Sequence, residues 1–255
     1  VANIDKAAAD LKKSAGNAIV VSGSNDPAVQ TEVNAINNSL GNYGSTIDAT
    51  TPINYKQGNE AEFNQFVADA QAGRIAAVIF YNCNPVYNSG AGAKLAAAIE
   101  KIDLKISTSD RPDETANLVE YIAPDNHFLE SWGDANPAGG QYSLSQPTIT
   151  KIFDTRQAQE SFMTWAGAIN FDYYEYLKTN WESTLASAGV SWDQALHDGV
   201  VVVESASEAP EFAGDASSAV RSLNANYKGS PVELSIYQKV AIGDGTQSNN
   251  PWLQE

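Results

Sequence analysis

Residues 76–82 read AAVIFYN and run straight into CNPVYNSG at 83–90, while LKISTS at 104–109 runs into DRPDETA at 110–116. A run of Val, Ile, Phe and Tyr broken at once by Asn, Pro and Gly is the pattern of a parallel-sheet strand giving way to a loop at its carboxyl end. The 13 residues GAGAKLAAAIEKI (90–102) between the two stretches have the length and composition of a crossover helix. Strand, loop, helix, strand is the unit of an open α/β sheet, and such sheets bind ligands at the carboxyl ends of their strands. Ile79, in mid-strand, is expected to be buried.

The pattern extends in both directions. Upstream, NIDKAAADLKKSAG (3–16) has helical spacing and a Gly stop, NAIVVSG (17–23) reads as a first strand, and Asp26-Pro27 opens a helix to about Leu40. STIDA (45–49) reads as a second short strand. AEFNQFVADAQAG (61–73) places Phe63, Phe66, Val67 and Ala70 on one helical face. Downstream, Ile102–Ser107 is a strand, and DETANLVEYIAP (113–124) is a short helix entering another. The expected fold is therefore α/β: a doubly wound, mostly parallel sheet of four or five strands with helices on both faces. It occupies about residues 1–135.

Residues 136–255 read as a helical and short-strand extension, packed on the first part or continuous with it. GDANPAGGQYSLSQPTI (133–149) is a Gly- and Pro-rich connection, and 155–189 is strongly helical. Phe162, Trp165, Tyr173, Tyr176, Leu177 and Trp181 recur there at a spacing that reads as core packing rather than a cofactor box. SWDQALHDG (191–199) is a helix capped by Ser191, GVVVVES a strand, residues 217–231 are ambiguous, and VELSIYQKVAI (232–242) reads as a final strand.

The chain has 31 acidic and 15 basic residues, a net charge of −16. That balance argues against nucleic acid, because binding a phosphate backbone needs clustered Lys and Arg. Cys83 is the sole cysteine, so this chain can form neither an internal disulfide nor a four-thiolate iron–sulphur site. No apolar run approaches the roughly 18 to 20 residues that cross a bilayer, so direct membrane insertion is not expected. The chain opens at Val1 without a methionine and reads as a piece of something longer.

The candidate chemistries are weak when taken from residues alone. GSND and GNYG follow the first two expected strands, but neither GxGxxG nor GxxxxGK[ST] is present, and an Asp-capped turn explains them as well. His127 and His197 stand far apart without a flanking ligand set. Ser22 and Ser24 border a strand-to-helix turn, yet SGSND is not the GxSxG elbow. Cys83 sits where helix amides could meet a thiolate, although an unreactive cysteine is the commoner state.

Other marks do form a series. Asn84-Pro85, Asp110, Glu114-Thr115-Ala116, Pro124, Leu129-Glu130 and Gly133 follow one another in an order that resembles the molybdopterin oxidoreductases. GSNDPAVQTEVNAINNSLGNYGSTID (23–48) and DTRQAQESFMTWAG (154–167) resemble the units before and after that segment. NPVYN, HFLESWGDA, SQPTI and NNPWLQE are most similar to the molybdopterin-like half of the large iron–sulphur subunit of alternative complex III, a quinol:cytochrome c oxidoreductase. In catalytic relatives the resemblance implies a pocket for the guanosine part of molybdopterin guanine dinucleotide. On this chain that pocket falls at Asn82, Asn84 and Asp110, with Asp110 facing guanine. In the alternative complex III branch it implies a fold without the cofactor, joined to an iron–sulphur half carried on the same polypeptide outside these residues. The partners would be other subunits of a membrane-bound respiratory complex on the periplasmic face of the bacterial inner membrane. Two readings follow: a cofactor-free scaffold domain, or a fragment of a catalytic enzyme that still binds the nucleotide. Asp110 has a plainer alternative role as a helix cap or as the partner of Arg111.

Overall fold

The computed structural model describes residues 3–55, 57–204, 211–226, 229, 232, 234 and 236–254. In chain order the elements are α1 (Ile4–Lys13), α2 (Pro27–Ser39), α3 (Glu60–Gln71), β1 (Ala77–Phe80), α4 (Pro85–Asn88), α5 (Gly92–Ile99), β2 (Leu104–Ser107) and β3 (Tyr121–Ile122). There follow β4 (Gly133–Ala138), β5 (Gln141–Ser145), α6 (Ala158–Trp165), α7 (Tyr173–Ala188), α8 (Trp192–Asp198), β6 (Val200–Val202) and α9 (Ala216–Asn226). Helix starts follow their caps. Asp26 accepts from the Ala28 N–H with Pro27 in the first turn, and Asn59 accepts from Ala61 and Glu62. Asp172 and Ser191 cap α7 and α8, whose far ends stop at Gly189 and Gly199 in the left-handed conformation.

The fold is α/β. β1, β2 and β3 form a parallel sheet in that order, with Ala77 beside Leu104, Ile79 beside Ile106 and Ser107 beside Ile122. α3 and α5 lie on the face that carries Val78 and Phe80. Val67, Phe80, Leu95 and Ile99 form one buried cluster there, and Ala70, Ala98 and Ile102 form a second. Gly92 lets α5 begin directly against α4, since a Cβ at that position would lie 2.2 Å from the Val86 carbonyl oxygen. The burial expected of Ile79 is not found: its side chain points to the opposite face of the sheet and is 46% exposed. Helix packing buries alternate residues of a strand, and here it selects Val78 and Phe80.

The chain divides into two compact units: the described residues of Val1–Tyr55, Asn136–Gln141 and Val202–Ser235, and those of Lys56–Ala135, Tyr142–Val201 and Ile236–Glu255. The units interleave along the chain. Strands β4, β5 and β6 form a second sheet in that order. In the first unit α2 packs on α9. In the second, α7 buries Leu177, Trp181 and Leu185, with Trp181 donating to Asp134 at 2.9 Å and packing edge-on to Tyr142. Of the aromatics expected to pack in the core there, Tyr173 and Trp181 are buried, whereas Trp165 and Tyr176 are 45% and 47% exposed.

Three expected strands do not form among the described residues. In 17–23, the Val20 N–H and C=O both bond to the Asn37 side chain, at 2.9 and 2.8 Å, so a side chain takes the place of a neighbouring strand. In 45–49, the Asn42 carbonyl accepts from Ser45, Thr46 and Ile47, which curls the segment into a turn with a single bridge between Tyr43 and Ile47. In 232–242, where residues 233 and 235 lie outside the described residues, none of the others is in a strand. Residues 217–226 of the ambiguous stretch are helical, as part of α9.

Candidate ligand site at the carboxyl edge of the sheet

Three loops leave the carboxyl ends of β1, β2 and β3 within one unit, and backbone hydrogen bonds carry the sheet a step into them. Thr108 N–H donates to the Phe80 carbonyl, Ala123 to Ser107, and Asp125 to Thr108. At the first loop Asn82 has φ 48°, a left-handed conformation that Asn tolerates better than other non-Gly residues. It turns the chain toward Asn84-Pro85.

Asn84 joins the first loop to the second. Its Oδ1 accepts from the Thr115 N–H at 3.1 Å and the Thr115 hydroxyl at 2.7 Å, while its Nδ2 donates to Glu114 at 2.7 Å. The Thr115 oxygen in turn accepts from the Val86 N–H at 3.1 Å, and Thr115 has no exposed surface. The Asn-Pro and Glu-Thr-Ala marks, 30 residues apart, are thus two halves of one hydrogen-bonded latch. The Asn84 amide holds the Glu114 carboxyl below its ordinary pKa.

Asp110 accepts from Arg111 through both oxygens, at 2.9 Å from Nε and 2.8 Å from the terminal nitrogen. The guanidinium hydrogen bond, and then its charge, lower the Asp110 pKa. Asp110 does not cap the following turn. Asp113 does, with one oxygen on the Ala116 N–H and the other on the Ser109 hydroxyl. On the third loop the Oδ1 of half-buried Asp125 accepts from Asn126 and from Ala158 at the start of α6, and burial raises its pKa. Tyr81, whose hydroxyl accepts from Gln159, is raised by burial and then by the Asp125 charge. Cys83 is exposed at this edge, and burial on its loop side pushes its thiol pKa up rather than toward a thiolate.

The outer side of the first loop carries part of the C-terminal segment. Asn88 donates to Asp244 at 3.0 Å, the Tyr87 hydroxyl lies 3.4 Å from that of Ser248, and Gly245 sits against the Tyr87 ring. His127 is a cap: its Nδ1 accepts from Leu129, and Glu130 reaches back to the His127 N–H. His197 pairs with Asp198. The Ser22 and Ser24 hydroxyls accept from backbone within their own turn.

A guanosine nucleotide seated here would need acceptors for the guanine ring and donors for phosphate. Both polar atoms of Asn84 are engaged inside the protein, both oxygens of Asp110 are held by Arg111, and Asp113, Glu114 and Asp244 add negative charge around the loops. As arranged, the residues do not fit that group. Sequence reasoning named Asn82, Asn84 and Asp110 as a nucleotide pocket but did not anticipate the structural parts played by Thr115, Asp113 and Asp125. The signal for Asp113 was its position three residues before Ala116, the spacing of an N-cap. Thr115 and Asp125 gave no local signal, because their partners lie about 30 residues away.

The fold and its loop edge define a class, an α/β domain with three loops gathered at the carboxyl ends of a parallel sheet. The chain is 29% identical over 110 residues to the menaquinone reductase, molybdopterin-binding-like subunit of Nitratidesulfovibrio vulgaris strain Hildenborough. The match covers 42% of this chain and spans only 16% of that relative. No family model matches the chain.

Proposed function

We propose that this chain is a cofactor-free, molybdopterin-oxidoreductase-like domain that serves as scaffold and interaction part of a quinone-linked respiratory complex, quinol-oxidising and of the alternative complex III kind. The observation that carries the reading is the Asn84–Thr115–Glu114 latch, which commits the strand-end groups to holding two loops together. The name of the similar subunit, molybdopterin-binding-like and part of a menaquinone reductase, supports the respiratory setting. Among the described residues no helix is long and apolar enough to cross a membrane. The domain would then meet the membrane through partner subunits, on the periplasmic face, with its iron–sulphur clusters on another part of the same polypeptide. In this role the chain's own residues hold a rigid edge and an acidic surface, and electrons pass elsewhere.

Metal analysis and nucleotide release on the native full-length protein test the proposal. The expected result is iron without molybdenum or tungsten, and no stoichiometric guanosine nucleotide. Recovery of one pterin or guanosine nucleotide per chain would favour the catalytic-fragment reading.

A further inference from the structure

A cleft of 340 Å³ opens below the third loop, within a single unit, lined by Ala123, Pro124, Lys151, Asp154, Thr155, Arg156, Ser161 and Trp165. We infer that it is a binding site for a small organic oxyanion carried on a flat ring, a carboxylate or phosphate that Arg156 grips while the ring lies on Trp165.

The walls are held in place from several directions. The Arg156 N–H donates to the Pro124 carbonyl, the Ala158 N–H to Asp125 at 2.8 Å, the Thr155 hydroxyl to Asn126 at 2.7 Å, and the Ile152 N–H to Glu130 at 3.0 Å. Two segments about 30 residues apart are thereby fastened before any ligand arrives, which reduces the ordering cost of binding. Trp165 is 45% exposed, and its ring is braced by Phe162 at 5.7 Å, itself edge-on to Tyr81. A braced, half-open indole beside Pro124 is a flat apolar wall.

The charges select the sign of the ligand. Lys151 Nζ donates to the Thr155 carbonyl at 2.8 Å, which fixes the ammonium at the rim. Among the described residues the Arg156 guanidinium pairs with no carboxylate, whereas Arg74, Arg111 and Arg221 each do. Asp154 is the one acidic side chain in the lining itself against Lys151 and Arg156, and the Asp125 and Glu130 carboxylates behind the walls are taken up by the backbone N–H groups of Asn126 and Ala158 and of His127 and Ile152. Ser161, 4% exposed, supplies a hydroxyl from the floor. An unpaired guanidinium is suited to the two oxygens of a carboxylate or phosphate. The volume lies at the lower end of the range for small-molecule sites.

This inference is independent of the respiratory reading. Calorimetric titration of the full-length protein would use benzoate and phenyl phosphate as probes, with acetate and inorganic phosphate as anions lacking the ring. Saturable millimolar or tighter binding of at least one ringed probe is expected, stronger than that of its ringless counterpart. The better of the two ringed probes assigns the head group. Arg156→Gln should weaken that binding about tenfold or more, and Trp165→Leu a few-fold, with unchanged unfolding midpoints. No saturable binding of either ringed probe would overturn the inference. So would equal binding of ringed and ringless anions, or full affinity in Arg156→Gln.

Discussion

Asn84 and Asp125 show how much a single side chain decides at the sheet edge. Asn84→Ala would leave the N–H and hydroxyl of a fully buried Thr115 without their shared acceptor, and an orphaned buried polar group costs about 1–3 kcal/mol. Urea unfolding should register that loss, while Thr115→Ser, which keeps the hydroxyl, should stay within about 1 kcal/mol of wild type. A wild-type midpoint for Asn84→Ala would show that the latch holds nothing. Asp125 predicts a pH effect. Its folded pKa is raised by burial, so the ionised form carries a penalty above that value, and protonation as pH falls through it favours the folded state. Both hydrogen bonds to Asp125 fall on Oδ1, which Asn also offers. Asp125→Asn should therefore match or exceed wild-type stability at neutral pH, with the difference shrinking as pH drops through the carboxylate range. Thermal melts of both proteins across pH check this, and a difference that grows on acidification would refute it. Glu114 has the opposite sign: its lowered pKa means that its bond to Asn84 stabilises above the ordinary carboxylate pKa and is lost as pH falls through the folded value.

At the level of elements the sheet face matters more than the strand. Phe80 is 4% exposed and Leu95 fully buried, so Phe80→Ala and Leu95→Ala should each cost about 2–5 kcal/mol, whereas Ile79→Ala, at 46% exposure, should cost under about 1 kcal/mol. Equal losses at residues 79 and 80 would mean that both faces of β1 are packed. β1, α5, β2 and the capped helices were legible because their signals are local: an apolar run broken by Asn-Pro, a helical period, an Asp or Ser at the first turn. The side-chain direction of Ile79 was not, because a continuous apolar run does not say which face meets the helices. Residues 17–23 and 45–49 have strand composition too. They became extended chain and turn because Asn37 and Asn42, outside each run, took the backbone groups that a ladder would have used. The site was half legible for the same reason: the motif residues could be found, but the bonds between distant loops that give them their role could not.

Across the whole molecule the dominant quantity is charge. The 31 acidic residues exceed the 15 basic ones by 16, and the ion pairs found among the described residues involve only Lys13, Arg74, Arg111, His197 and Arg221. All five basic side chains of these pairs are at least 60% exposed, and pairs of that kind contribute little, so screening them loses little. Repulsion among the unpaired carboxylates acts over longer distances, and it is what salt removes: the screening length falls from about 30 Å at 0.01 M to about 8 Å at 0.15 M ionic strength. The melting temperature should consequently rise as sodium chloride is added from millimolar to physiological concentration, and rise less steeply beyond it. Chloride is the appropriate anion, because sulfate would raise the melting temperature through its exclusion from the protein surface whatever the charge pattern. A melting temperature that falls over the same range would mean that the few ion pairs outweigh the general repulsion. The acidic surface would then be locally compensated.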